Sequence, residues 1–326
     1  MSHERLSGLD ALRGIAALCV VGLHANAVYS QTLPTWFTKG YLGVDFFLML
    51  SGYLMARITE PRLASGLTAA SFIKARYLRF WKVVALSSLV GIPYLWWRTQ
   101  HDPAWFAGAF AANMVFLPFP ADNVLFPLNV PVWTILAELL ANALHVTILW
   151  RLRTAWLGGL VLLAGLATIA AAIDYGSLDV GARPGNWTYA PPRILLAYGL
   201  GILLWRCGLS GRAPRLPAAL VLVAMPLAML ASWHSGYRAW PFDLAFVVAL
   251  CPLVILGALH ITAGNALTRL SADLSFPLFA VHVPALELAK HLGFAAPYGL
   301  ALAFVLAWAI LWWTKPGAQR MEPLKH

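Results

Sequence analysis

Apolar runs about as long as a bilayer's hydrocarbon core requires, roughly 17 to 25 residues each, recur along almost the whole chain. They fall near 12–29, 41–58, 80–97, 133–150, 156–173, 192–207, 217–233, 242–260, 272–289 and 297–313. Backbone N–H and C=O groups in lipid must be satisfied within their own segment, so runs of this length predict helices, about ten of them transmembrane. The stretch 104–118, AWFAGAFAANMVFLP, is also apolar, but it is short, interrupted by Asn113 and closed by Pro118. It is expected not to span. The pattern therefore describes an all-α integral membrane protein, a single domain over 1–326 with no appended soluble domain, because no loop exceeds about 35 residues. No fixed-period repeat or low-complexity tract is visible.

Composition closes the other classes. Of 326 residues, 60% are hydrophobic and 11% charged, with mean hydropathy +0.72, whereas soluble chains are roughly half apolar and about a quarter charged. A soluble or disordered protein is excluded. Cys19, Cys207 and Cys251 all lie in apolar runs and are expected to pack as small hydrophobes, with no disulfide and no metal site. The net charge of +10 sits beside the apolar runs, which argues for a topological role and against nucleic-acid binding. With ten spans, sixteen Lys and Arg residues fall on the side of the N-terminus and six on the other (Lys39, Arg98, Arg183, Arg193, Arg238, Lys290), with Arg13 at a membrane edge. Both termini are then expected in the cytoplasm, with the protein multi-pass in the inner (plasma) membrane. Counting 104–118 as a crossing would set the basic residues between Arg57 and Lys82 against Arg151 and Arg153. Ala25-Asn26-Ala27 has the small-x-small form of a signal-peptidase site, but Asp10 and Arg13 interrupt the run before it, so the first span is expected to be retained.

Polar residues inside the spans carry the chemistry, since an ionisable side chain at the bilayer centre costs about 2.5–3.5 kcal/mol on insertion scales. Arg13 and His24 are eleven residues apart, which at 100° per residue places them on one helix face, roughly 16 Å apart along the axis. Thr134, Glu138, Asn142 and His145 form a polar stripe at helical spacing. Glu138 is expected either to pair with an arginine of another helix or to share a hydrophilic cavity with His24. Ser275 and His282 share a face of the ninth span. Asp45 enters the second span either as a helix cap or as a site carboxylate. Lys74, Arg76, Arg79 and Lys82 precede the third span as a positive-inside anchor or as a phosphate clamp.

These residues carry a resemblance. LDALRGIAALCVVGLHA, with Arg-x10-His, then GYLGVDFFLMLSGYLMARI, the Arg-x2-Arg of KARYLRF, VWTILAEL with Trp133 and Glu138, and LSFPLFAVHVPAL resemble the membrane-bound acyltransferase 3 family, in family order from about residue 9 to 284. The resemblance implies a ten-helix enzyme that moves an acyl group, usually acetyl from acetyl-CoA in the cytoplasm, onto a hydroxyl of a glycan or glycolipid at the outer leaflet. It implies His24 as the essential first-helix histidine with Arg13 its partner, Arg76 and Arg79 as the cytoplasmic arginine pair, Glu138 as the glutamate of the tryptophan segment and His282 as the late histidine. Trp81-Lys82-Val83 and Ala141-Asn142 depart from the family pattern, which bears on substrate rather than on membership.

The chemistry can be stated independently. Acyl transfer from a thioester to a hydroxyl needs a base, for which a histidine near neutral pH is suited. His24 is the candidate base, Glu138 or Asp45 the carboxylate that orients it, and Arg13, Arg76 and Arg79 the acyl-CoA ligands. Ser51, Trp133, Asn142, Ser275 and His282 are further polar candidates. No G-x-S-x-G elbow is present, which favours direct transfer over an acyl-enzyme. The competing class is a proton-coupled secondary transporter, in which buried His and Glu would relay protons.

Overall fold

A computed structural model describes residues 6–30, 37–99, 102–121, 123–230, 239–262 and 264–315. Arg5, Arg238, Arg320 and Lys325, which entered the charge count, lie outside them. Among the described residues the chain is helical and has no strand beyond one isolated bridge, Ala121 to Val124. The helices are α1 Ser7–Val28, α2 Gly40–Ala64, α3 Ala69–Arg98, α4 Pro103–Met114, α5 Val132–Thr147, α6 Thr154–Tyr175, α7 Ala190–Arg206, α8 Ala218–Leu230, α9 Trp240–Ala258, α10 Ala266–His291 and α11 Ala296–Thr314. Every expected apolar run contains a helix. Seven of these (α1, α2, α3, α6, α9, α10, α11) are long and apolar enough to cross a membrane, whereas α5 and α8 are shorter apolar helices. Two helices outside the long set, α5 and α7, have visible causes for their length. α5 carries Glu138, Asn142 and His145 and passes into a 3-10 turn at Leu149–Arg151, and α7 has proline in its first turn and Arg193 in its second.

The 104–118 stretch folds as α4, twelve residues long and thus about 18 Å, well short of a hydrocarbon core of about 30 Å. Asp102 caps it, its carboxylate accepting from the Ala104 and Trp105 N–H groups at 3.0 and 3.1 Å, with Pro103 at the first position as expected. Asn113 donates to Ser88 Oγ of α3 at 2.7 Å. The polar interruption in the run thus helps to fasten α4 to α3, beside the Trp96–Phe106 ring contact.

The direction of the helices can be read from their contacts. On α1 and α10, Gly14 lies against Ser271, His24 against His282 and Val28 against Lys290, so the two helices run the same way. α3 joins them, pairing Phe80 with Phe276 and Trp97 with His291. A second parallel set is α2, α5 and α7, with Asp45 on Arg193, Ser51 on Glu138, Tyr53 on Trp205 and Glu60 on His145. Glycine allows the closest of these approaches. A Cβ on Gly201 would meet the Met49 carbonyl oxygen, and one on Gly52 the Tyr198 carbonyl oxygen, so α2 and α7 touch backbone to backbone. α2 and α9 each contain a π-helical turn, Met55–Thr59 and Phe246–Leu250, which resets the face presented by the residues that follow. Cys19 and Cys251 are buried as expected, but Cys207 is exposed: it caps the C-terminus of α7 instead of lying within it.

Candidate active site

The polar residues of α1 and α10 meet in two tiers because the helices are parallel. In the first tier a cavity of about 640 Å3 is lined by Arg13, Ser51, Arg76, Arg79, Glu138 and Ser275, contributed by five helices, with Thr134 beside them. Arg76 Nη2 donates to Glu138 Oε1 at 2.7 Å, and Ser51 Oγ reaches the same oxygen at 3.0 Å. Arg76 also lies over the Phe80 ring, 4.9 Å from its centroid. Arg13 and Arg79 line the cavity and make no ion pair among the described residues. Both border a second hollow of about 550 Å3, where Lys82, Asp10, Asp273 and Lys315 join them. Three arginines around one cavity form a concentrated cationic surface with guanidinium forks matched to phosphate oxygens.

The second tier is a pair of imidazoles. His282 Nε2 lies 3.0 Å from His24 Nδ1, with ring centroids 4.8 Å apart and planes at 62°. His282 is fully buried and His24 half-buried. The wall between the tiers is aromatic: Phe279 lines the cavity, meets Phe47 edge to face at 5.7 Å, and lies 5.9 Å from the His282 ring.

The sequence-derived residues sort accordingly. His24 and His282 come together; so do Arg13, Arg76, Arg79, Ser51, Glu138 and Ser275. Glu138 realises both expectations in part, since it pairs with an arginine and lines a cavity, but His24 is not among the cavity's lining residues. Asp45 does not approach His24. Its two oxygens accept from Arg193 Nε at 2.9 Å and Nη2 at 2.6 Å, and Arg193 also donates to the Val180 and Tyr41 carbonyls. Neither nominated carboxylate orients His24 in this structure. Trp133 packs its ring on Gly181, whose φ of 117° suits glycine.

Asn142 and His145 extend the stripe away from the cavity. Asn142 Oδ1 accepts from Tyr198 Oη at 2.9 Å, His145 Nδ1 lies 3.2 Å from the same hydroxyl, and His145 Nε2 lies 3.1 Å from Glu60 Oε1. Arg206 closes the ladder on Glu60 through Nε and Nη2. Glu60, Tyr198 and Arg206 were not singled out from the sequence, where Glu60 and Arg206 stand near helix ends and Tyr198 is a single aromatic within an apolar run. Lys39 and Arg193, counted as flanking charges, are in fact buried. Lys39 Nζ donates to Asp243 Oδ1 at 2.7 Å and to Tyr41 Oη at 2.9 Å, and Asp243 also accepts from Tyr41 and the Leu178 N–H.

Breaking a buried pair leaves a charge without compensation, at about 3–5 kcal/mol. Asp45→Ala is therefore expected to lower thermal stability and yield sharply, while Asp45→Leu with Arg193→Leu recovers most of the loss. Thermal unfolding of the detergent-purified proteins checks this, and a stable but inactive Asp45→Ala would instead make Asp45 a site residue.

The comparisons with known proteins agree with this geometry. The sequence profile of the family described as acyltransferase domain, acyltransferase 3, matches residues 6–314. The exopolysaccharide production protein ExoZ of Rhizobium meliloti (strain 1021) is 27% identical over 81% of this chain and 82% of its own. BcsY of Komagataeibacter xylinus, provisionally named a membrane-bound transacylase, is 25% identical over 93% of this chain and 79% of its own. YrhL of Bacillus subtilis (strain 168), provisionally named a peptidoglycan O-acetyltransferase, is 41% identical over 18% of this chain and 8% of its own. No solved structure matches significantly. With a profile match spanning nearly the whole chain and its landmark residues gathered at one cavity and one histidine pair, this protein is a multi-pass membrane enzyme belonging to the acyltransferase 3 family.

Proposed function

We propose that the protein takes an acyl group, acetyl in the simplest case, from acyl-CoA bound on the cytoplasmic side and transfers it to a hydroxyl of a glycan or glycolipid on the outer side of the inner membrane. The observation that carries this reading is the order of the tiers along α1. Cations suited to phosphate oxygens surround the cavity at Arg13, and a base lies eleven residues further on, at His24. A donor with phosphates at one end and a thioester at the other fits that order, its pantetheine arm pointing past Arg13 toward the Phe47 and Phe279 wall. The name of ExoZ supports a polysaccharide acceptor, and that of YrhL an acetyl group on a glycan hydroxyl. In the direct reaction His24 removes the hydroxyl proton while the oxygen attacks the thioester carbonyl.

The helix directions support both termini lying on the same side, and the distribution of Lys and Arg argues that this side is the inside. If α4 does not cross and the other ten helices do, α1, α3 and α10 run outward together and α2, α5 and α7 inward together, which is how they pack. Counting α4 as a crossing would make α7 antiparallel to α2. The prediction is that a cysteine at Ser177 reacts with an impermeant thiol reagent from outside intact cells and one at Ser210 does not, in a background lacking the native cysteines. The reverse labelling overturns the direction of transfer.

The reaction itself is tested with purified protein in liposomes supplied with acetyl-CoA and a polysaccharide-derived acceptor. The expected result is acceptor-dependent release of free CoA together with an ester on the acceptor, both requiring His24. Solute uptake without thioester cleavage would return the protein to the transporter class.

A further inference from the structure

The group facing His24 is neither nominated carboxylate but a second imidazole, and the bonds of both rings fix where their protons lie. His24 Nδ1 is 3.0 Å from the Val20 carbonyl and His282 Nδ1 is 3.1 Å from the Leu278 carbonyl, each four residues back on its own helix. A carbonyl oxygen only accepts, so each Nδ1 must carry the hydrogen. In the neutral ring that leaves His282 Nε2 as an acceptor, and it lies 3.0 Å from His24 Nδ1. The His24 Nδ1–H is thus shared between the Val20 oxygen and the His282 nitrogen. Among the described residues one lone pair on the pair of rings remains unused, at His24 Nε2, and it belongs to the ring that is not fully buried.

We propose that His282 is a positioning residue for acyl transfer. It holds His24 in the tautomer protonated at Nδ1, keeps Nε2 free as the base, and stabilises the imidazolium formed when Nε2 takes a proton. The inference rests on the reading of His24 as the base. In the step, the acceptor O–H breaks and its proton goes to Nε2, while the oxygen electron pair forms a C–O bond to the thioester carbonyl carbon. The C–S bond then breaks with its electron pair left on sulfur, and the proton on Nε2 passes to that thiolate. An alcohol and a thioester become an ester and a thiol with no other reactant. While His24 carries two protons, its Nδ1–H bond to His282 is charge-assisted and strengthened. His282 thereby does what the buried carboxylate does in a serine triad, without placing a second formal charge beside the aromatic wall of Phe47 and Phe279, where a charge would be poorly solvated.

The test compares His282→Leu and His282→Gln with wild type for kcat, for KM toward acetyl-CoA and for the 15N shifts of histidine-labelled protein in membranes. Glutamine can present an amide oxygen close to the place of Nε2 and accept the same N–H, whereas leucine fills space only. The expected result is a kcat reduced about 100-fold or more in His282→Leu, an unchanged KM for acetyl-CoA, recovery to within about tenfold of wild type in His282→Gln, and a wild-type His24 protonated at Nδ1. Normal kcat in His282→Leu while His24→Ala is inactive overturns the role of His282 and leaves the base standing. Normal kcat in both overturns the base itself. Equal losses in the Leu and Gln variants make His282 a packing residue, and a wild-type His24 protonated at Nε2 overturns the proposal whether or not either variant folds.

Discussion

His24→Ala is expected to abolish acyl transfer, lowering kcat by about 10²–10⁴ as loss of a positioned general base does, while the protein still reaches the membrane at normal levels. Two features make the loss specific. Among the described residues the His24 side chain bonds only to the Val20 carbonyl of its own helix and to His282, so its removal there breaks no ion pair and exposes no buried charge. Arg13 of the arginine-lined cavity lies eleven residues, roughly 16 Å, back along α1, and His24 is not among the cavity's lining residues, so acetyl-CoA affinity is expected to be unchanged. The measurements are acyl transfer in liposomes, a direct binding titration with acetyl-CoA, and the monodispersity of the purified protein. Near-wild-type turnover would remove His24 from the chemistry. Loss of donor binding together with turnover would mean that the two tiers are one site.

How far the sequence could be read depended on whether a feature was local to one helix. The shared face of Arg13 and His24, and the seven-residue step from Ser275 to His282, are consequences of helical geometry alone, and both were legible. That these two faces meet depends on α1 and α10 lying side by side in the same direction, which no periodicity reveals. The same limit explains the carboxylates. Glu138 and Asp45 were recognisable as charges needing partners, but an ion pair between residues 148 apart, Asp45 and Arg193, is a tertiary fact. Arg193 and Lys39 looked like topological charges because they stand near the ends of apolar runs, where flanking residues and buried ones share a register. Glu60 and Arg206 were missed for the same reason. A cue was present in each case: an acidic residue near a span end requires a cation within reach, and pairing Asp243 with Lys39 or Glu60 with Arg206 would have been open to a reader who asked every acid for its base.

The buried pairs also divide the molecule by task. Asp45 with Arg193 and Asp243 with Lys39 tie α2, α7, α9 and the residues around Leu178 and Val180 into one polar framework, in which every carboxylate oxygen has a donor. The arginine cavity is built differently. Among the described residues Glu138 pairs with Arg76 there, while Arg13 and Arg79 line the cavity without an ion pair. The buried charges of the framework are compensated, whereas the cavity, where Arg13 and Arg76 are half-buried and Arg79 is exposed, carries more guanidinium than carboxylate. Such an excess attracts an anion and is relieved when one enters.

That excess sets the expected behaviour of Arg79 and Arg76. They lie three residues apart on α3, already helical at this point, and so are neighbours on its surface. Replacing Arg79 with lysine keeps the charge that a topological anchor requires but removes the planar fork that grips two phosphate oxygens at once. If Arg79 holds the CoA phosphates, Arg79→Lys forfeits a charge-assisted contact of about 1.5–3 kcal/mol, which raises the acyl-CoA dissociation constant about ten- to a hundredfold. Arg76→Lys is expected to weaken binding as well, by a different route: it loosens the 2.7 Å contact that holds Glu138 beside Ser51, leaving that carboxylate free to repel the incoming phosphates. The two routes are separable with a double replacement. In a Glu138→Gln background the Arg76→Lys penalty should largely disappear, because no carboxylate remains to be restrained, whereas the Arg79→Lys penalty should persist. Titration of purified variants with acetyl-CoA and with its dephospho analogue reads all of this. A loss at Arg79 that vanishes with the dephospho compound places the guanidinium on the 3′-phosphate, and one that persists places it on the diphosphate. Unchanged affinity in both single variants would return the pair to a purely topological role and leave the cavity's cationic lining without a ligand.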